Sequence, residues 1–309
     1  MAPVPAYGPE TGSPVRAVDS DPADRVKGSE MTGEEALAPA GGTGGTGPLP
    51  FDVTVAHQAR VYDYMLGGKD NYAADRAAVE AWLKVDPGMA SIARTNRAFL
   101  GRVVRCLAGE AGIRQFLDIG TGIPTAGNTH QIAQAIAPET RVVYVDYDPI
   151  VLAHARALLT SSDAGATEYI DADLRNTSAI LGQAGQLLDF TKPVAVTLLA
   201  ILHAIPDSDD PYAIVAKVMD AVPPGSYLAL SHPGSDLIPP RTLEEMRDVA
   251  HRMSQQQYTH RTREEVARFL AGTDLLEPGI VPVEEWRPEP GGTGEASQSR
   301  VWGAVGRKR

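Results

Sequence analysis

Three aspartates stand at the ends of three successive apolar runs: Asp118 in QFLDIG, Asp146 in RVVYVDY and Asp173 just after TEYIDA. Directly after the first comes GTG, with Gly120 and Gly122 on either side of Thr121. Glycines at that spacing let the backbone approach a ligand closely, because no Cβ intrudes. A carboxylate at the end of the next strand is placed to accept both hydroxyls of a ribose. Any one of these acids is equally well explained as the cap of the following helix. The ordered set points to a ligand with a ribose, either a dinucleotide or another adenosine compound.

Two features separate those ligands. A dinucleotide loop uses a third glycine, G-x-G-x-x-G, to bring helix and strand together around a pyrophosphate. Here the loop reads GTGIPTAGN, with Pro124 and then Thr125 where that glycine would stand, and Gly127 two positions late. Asp118 precedes the glycines by two, where its charge would repel a pyrophosphate and attract an ammonium. S-adenosylmethionine carries a ribose, an adenine, an ammonium and a sulfonium, and it fits these acids. The seven histidines are scattered without ligand spacing, so no metal site is expected.

The elements that must hold these residues alternate. Strand QFLDIG precedes helix THQIAQAIA, and RVVYVDY precedes Asp148-Pro149 and helix IVLAHARALL. Strand TEYIDA is followed by a helix with Ile180, Leu181, Leu187 and Leu188; VAVTLLAIL reads as a central strand, and Asp210-Pro211 opens the helix before strand SYLALS. This βα repetition predicts an open, mostly parallel sheet with helices on both faces. Further on, PRTLEEMRDVAHRMSQQQY reads as a polar surface helix. TREEVARFLAG carries a Thr262/Glu265 capping box, and GIVPVEEW and SRVWGAVGRK read as an antiparallel edge hairpin joined by PEPGGTGEASQ. Upstream, Asp70 or Asn71 is expected to cap a helix with Val79, Trp82 and Leu83. A second helix, 91–108, puts Ile92, Phe99, Leu100, Val103 and Leu107 on one face with Asn96 at its centre. Residues 1–50, rich in Pro, Gly, Ala and Ser, read as a disordered leader.

The series DIGTG, YVDYDP, DADLRN and LLAILHAIPD resembles a class I S-adenosylmethionine-dependent methyltransferase. With ARVYDYMLGGKDNYAADR, ARTNRAFL and GSYLALSHP added, residues 52 to 308 resemble the actinobacterial S-adenosyl methyltransferase family. That resemblance implies a Rossmann-like α/β fold: a mostly parallel seven-stranded sheet with a C-terminal antiparallel hairpin, a helical lid over 51–112 and a core over 113–309. It implies that Asp118, Gly120 and Gly122, with Thr121, hold the methionine part of the cofactor. Asp146 would take the ribose with Tyr147 beside it, Asp173 the adenine amino group, and Leu174 would flank the ring. The general motif has a further glycine where this chain has Pro124. From the lid and the helix after it, Tyr64, Asn96 and Arg97, with Tyr62 and Asn71, are expected near the methionine carboxylate or the substrate; core packing is the alternative for the tyrosines.

Methyl transfer is an in-line displacement at an activated methyl, and a general base is needed only for a nucleophile that carries a proton. His203, expected at the end of the fourth strand, is the candidate catalytic base, ahead of His232; packing against a backbone carbonyl is the alternative. The Asn/Asp-Pro-Pro-aromatic motif of many amino-group methylases is absent after strand four, where the chain has LHAIPD. The expected substrate is therefore a small molecule. A net charge of −11 and 6% aromatic residues argue against nucleic acid as partner. No apolar run reaches about eighteen residues, so no membrane span is expected. With Cys106 as the only cysteine, a cytoplasmic location is expected. Two other readings stay open: a cofactor-binding regulatory protein without catalysis, and a nicotinamide oxidoreductase.

Overall fold

Strands that are apolar at nearly every position need cover on both faces, and the computed structural model shows how this chain supplies it. It describes residues 52–158, 161–253, 258–289 and 300–309, without the side chains of 155–158 and 253. The expected leader and most of the 288–298 linker lie outside the described residues. In chain order the strands are β1 (Gln115–Ile119), β2 (Arg141–Asp146), β3 (Ala166–Asp171), β4 (Ala195–Leu199), β5 (Tyr227–Pro233), β6 (Thr273–Leu275), β7 (Val281–Pro282) and β8 (Val301–Lys308). The first five are parallel, in the order β3-β2-β1-β4-β5. β8 adds antiparallel to β5, and its other edge is shared by β6 and β7. The sheet is thus seven strand positions wide, as expected. The hairpin differs in one respect: GIVPVEEW contributes only the two residues of β7 before turning, and β6, which sequence reading missed, covers the rest of β8.

The helices are α1 (Gln58–Met65), α2 (Ala73–Val85), α3 (Ile92–Arg105), α4 (Thr129–Ile136), α5 (Pro149–Leu158), α6 (Thr177–Ala184), α7 (Pro211–Asp220), α8 (Pro240–Met253) and α9 (Arg263–Phe269). Period-two alternation divides the sheet side chains. Leu117, Val143 and Val196 face α6, α7 and α9 through Ile180, Val215 and Phe269. Phe116, Val142 and Tyr144 face α3 and α4 through Phe99, Val103 and Ala133. The 51–112 segment therefore divides: α3 belongs to the sheet layer, α1 packs Ala59 against Ile123, Ile150 and Val151, and α2 packs on α8. Arg60, 2% exposed, and Asp75, fully buried, join α1 to α2 at 3.2 Å.

Two local expectations are corrected. α2 starts at Ala73, because the Asp75 carboxylate accepts the Tyr72 N–H (2.8 Å); the Asn71 side chain and the Asp70 N–H instead bond Asp63. α8 is no free surface helix: Val249 and Ala250 pack with Val79 and Trp82, and Leu243 and Met246 with Ile238. Its many charges hide a narrow apolar stripe that only α2 completes.

Candidate active site

The strand order reverses between β1 and β4, so the crevice over their carboxyl ends is open to a ligand. The GTG turn lies there. Gly120 and Gly122 have φ of +77° and +64°, a region that favours glycine. A Cβ on Gly120 would sit 2.6 Å from Ile201, whereas one on Gly122 would meet nothing within 4 Å, because Gly122 borders empty space. That space is a cavity of about 440 Å³.

Asp146 ties the turn to β2. Its Oδ2 accepts the Gly122 N–H at 2.8 Å, and its Oδ1 accepts the N–H groups of Tyr147 (2.8 Å) and Asp148 (3.1 Å). Burial pushes its carboxyl above the usual range, and these N–H groups pull it back. A carboxylate offers about four acceptor positions, so Asp146 retains capacity for a ligand hydroxyl. Thr121, Tyr147 and Leu174 line the same cavity.

Asp118 borders the cavity at 8% exposure. Its two oxygens accept hydroxyls from Thr129 and Thr197, both at 2.6 Å, and among the described residues it has no ion-pair partner. Burial raises its pKa, and the two threonines and the more distant charge of Arg97 only partly offset this. A buried carboxylate whose hydrogen-bond partners are both neutral, beside a cavity, is complementary to a cation. Asp173 also lines the cavity, but Arg175 meets it (2.8 Å) and bridges to Asp209 (2.6 Å).

The opposite wall comes from the lid and α3. Gln58 Nε2 donates to the Ala200 carbonyl at 3.0 Å. Asn96 Nδ2 donates to the Tyr62 hydroxyl (3.0 Å), and Ser231 Oγ donates to Asn96 Oδ1 (2.6 Å). Asn96 is thus both buried with partners and part of the wall. Arg97 also lines the cavity, but its Nη2 donates to the carbonyls of Ala126 (3.1 Å) and Gly127 (3.0 Å). It pins the 123–128 loop, the stretch that lacks the third glycine.

Other expected residues fall elsewhere. Tyr64 packs with the α2 and α8 residues, outside the cavity lining. His203 does not end β4, which stops at Leu199; it lies in a short 3-10 turn, Leu202–Ala204. Its ring stacks on Tyr258 (5.4 Å) and lines a second, smaller chamber beside the cavity. His232 lies within β5, fully buried, with Nε2 2.8 Å from Arg261. Sequence reading missed Gln58, Ala200 and Arg175. Arg175, two residues after Asp173, was the one within reach, since a cation at that spacing can pair with the acid. Ala200, a non-glycine residue with φ of +52°, left no trace in the sequence.

Comparison with known proteins places this geometry. A family model described as S-adenosyl methyltransferase matches residues 46–309. A crystal structure of a protein of the domain-of-unknown-function 574 family from Streptomyces avermitilis is 43% identical, with a TM-score of 0.80, covering 84% of this chain and 99% of that one. A candidate methyltransferase from Thermobifida fusca is 38% identical, with a TM-score of 0.75, covering 83% and 96%. Among curated proteins, trans-aconitate 2-methyltransferase of Escherichia coli K12 is 29% identical over 170 residues. That match spans 55% of this chain and 57% of the relative's length.

Proposed function

Because the chain belongs to the S-adenosyl methyltransferase family, we propose that it binds S-adenosylmethionine in the cavity over β1 and β2 and methylates a small molecule. The observation that carries this reading is Asp118, a buried carboxylate facing the cavity whose two hydrogen-bond partners are both neutral hydroxyls. An ammonium group adds a matching charge beside it; a pyrophosphate would add more negative charge. The cofactor, when bound, supplies a methyl group activated on a sulfonium.

The chain's own residues then have these roles. Asp146 accepts a ribose hydroxyl at its remaining acceptor position, with Tyr147 beside it. Asp173 and Leu174 border the adenine, and Arg175 sets the direction of the Asp173 carboxylate. Gly120, Thr121 and Gly122 give the backbone its close approach. Asn96 and Arg97 hold the wall and the loop at the methionine end. Gln58 and Tyr62 close the cavity and keep water from the reacting centre. The small-molecule acceptor is in line with the name of the Escherichia coli relative. A cytoplasmic setting accords with the lone cysteine, Cys106, which is buried.

Calorimetric titration with S-adenosylmethionine, S-adenosylhomocysteine and NAD tests the reading. Both adenosyl ligands should bind in the micromolar range, and Asp146→Ala should weaken them by about tenfold or more, the value of a charge-assisted hydrogen bond. Binding of NAD alone would overturn it.

A further inference from the structure

Behind the wall made by Gln58, Tyr62, Asn96 and Ala200 lies the second chamber, about 120 Å³ in volume. These four residues border both spaces. The far walls are apolar and adaptable: Met65, Trp82, Met89, Ile238 and Met246. Arg300, on the same lining, is committed to Asp86 and the Leu237 carbonyl. Two imidazoles in the lining, His203 and His260, have an Nδ1 that is shut from solvent and without a hydrogen-bond partner among the described residues. His203 is the more deeply buried of the two, at 7% exposure.

An apolar occupant of this chamber is favoured by the surface it takes out of water, and a hydroxyl on it gives a buried imidazole a hydrogen bond. One occupant of matching chemistry makes both gains. We propose that this chamber is the acceptor subsite and takes an apolar, aromatic-sized small molecule bearing a hydroxyl that hydrogen-bonds His203. The proposal rests on the methyltransferase reading for the name acceptor, but the chamber's ligand chemistry follows from its own walls. Burial holds the His203 imidazole in its neutral form, well below the ordinary histidine pKa, so it meets a hydroxyl as a neutral partner.

The probes are p-cresol and toluene, nearly equal in shape and differing by the hydroxyl. Binding is followed by calorimetry and by the ¹⁵N shifts of the His203 imidazole. The expected result is p-cresol binding about tenfold more tightly than toluene, one hydrogen bond's worth, with a shift of the His203 nitrogens that toluene does not cause. His203→Phe should erase the preference while keeping toluene binding, and Met246→Trp should fill the chamber and abolish both. Equal affinity for the two probes, or an unmoved His203 signal on p-cresol binding, would overturn the proposal even if a variant failed to fold. S-adenosylhomocysteine is titrated on the same sample. Its binding without the His203 response sinks the chamber assignment alone; the His203 response without its binding supports the chamber and sinks the methyltransferase reading.

Discussion

At the scale of single residues, Gly120 and Gly122 share a backbone conformation and differ in surroundings. An alanine in that left-handed region costs about 1–2 kcal/mol at either position. Gly120→Ala adds a clash with Ile201, so it should lose clearly more stability in urea unfolding than Gly122→Ala. Gly122→Ala places its methyl in the cavity, so the larger loss of S-adenosylhomocysteine affinity should fall on that variant. A reversed order in both measurements would mean that the turn is not built around a ligand. The same comparison separates a glycine needed for packing from one needed for binding, a distinction invisible in the letters GTG.

At the scale of elements, the loop after β4 is held by a side chain from far along the chain. Arg261, 1% exposed, donates to the carbonyls of Leu202 and Ile205, both at 3.0 Å, and lies 2.8 Å from His232 Nε2. Its contact with Asp207, at 2.6 Å, reaches a mostly exposed carboxylate, where solvent screens the charge. The three buried acceptors matter more. Leaving them unpaired costs about 1–3 kcal/mol each, so Arg261→Met should lower unfolding free energy by about 3 kcal/mol or more. Because Ile205 lines the cavity, adenosyl-ligand affinity should fall with it. Unchanged stability and affinity would remove Arg261 from any positioning role. The Thr262/Glu265 capping box expected next to it is present, Thr262 N–H donating to Glu265 at 2.7 Å, but nothing in the sequence marks Arg261 itself.

At the scale of the whole molecule, burial of histidines sets the acid response. His203, His232 and His260 are all held below the ordinary histidine pKa, His232 at about 3 and His260 at about 4, chiefly by desolvation. The unfolded chain protonates them near pH 6.5, so below that pH it binds more protons than the folded one. Stability is therefore lost as pH falls from about 6.5 toward 4. The raised carboxyls of Asp118 and Asp146 act in the opposite sense, taking up protons in the folded state first. A variant isolates one histidine: His260→Gln should lose about 2 kcal/mol less than wild type between pH 7.5 and 5, since 1.36 kcal/mol accompanies each pKa unit. Urea midpoints at the two pH values check it, and parallel losses would refute it.

The amino-acid sequence by itself determined the parallel strand series, the glycine turn, and the acids Asp118, Asp146 and Asp173 on one rim. Each depends on neighbours a few residues away: period-two burial, a positive φ, a strand end. It also determined the capped helix at Thr262 and the buried face of α3. Only the tertiary structure decided which side chains share the cavity. Tyr62 faces it and Tyr64 does not, because the two lie on different sides of a short helix whose apolar face packs on α2 and α8. His203 leaves the expected site because β4 stops at Leu199 and the chain turns through Ala200, a bend stabilised by Gln58 and Ser231 from distant segments. Such long-range contacts leave no period in the sequence, and they set the two adjoining chambers.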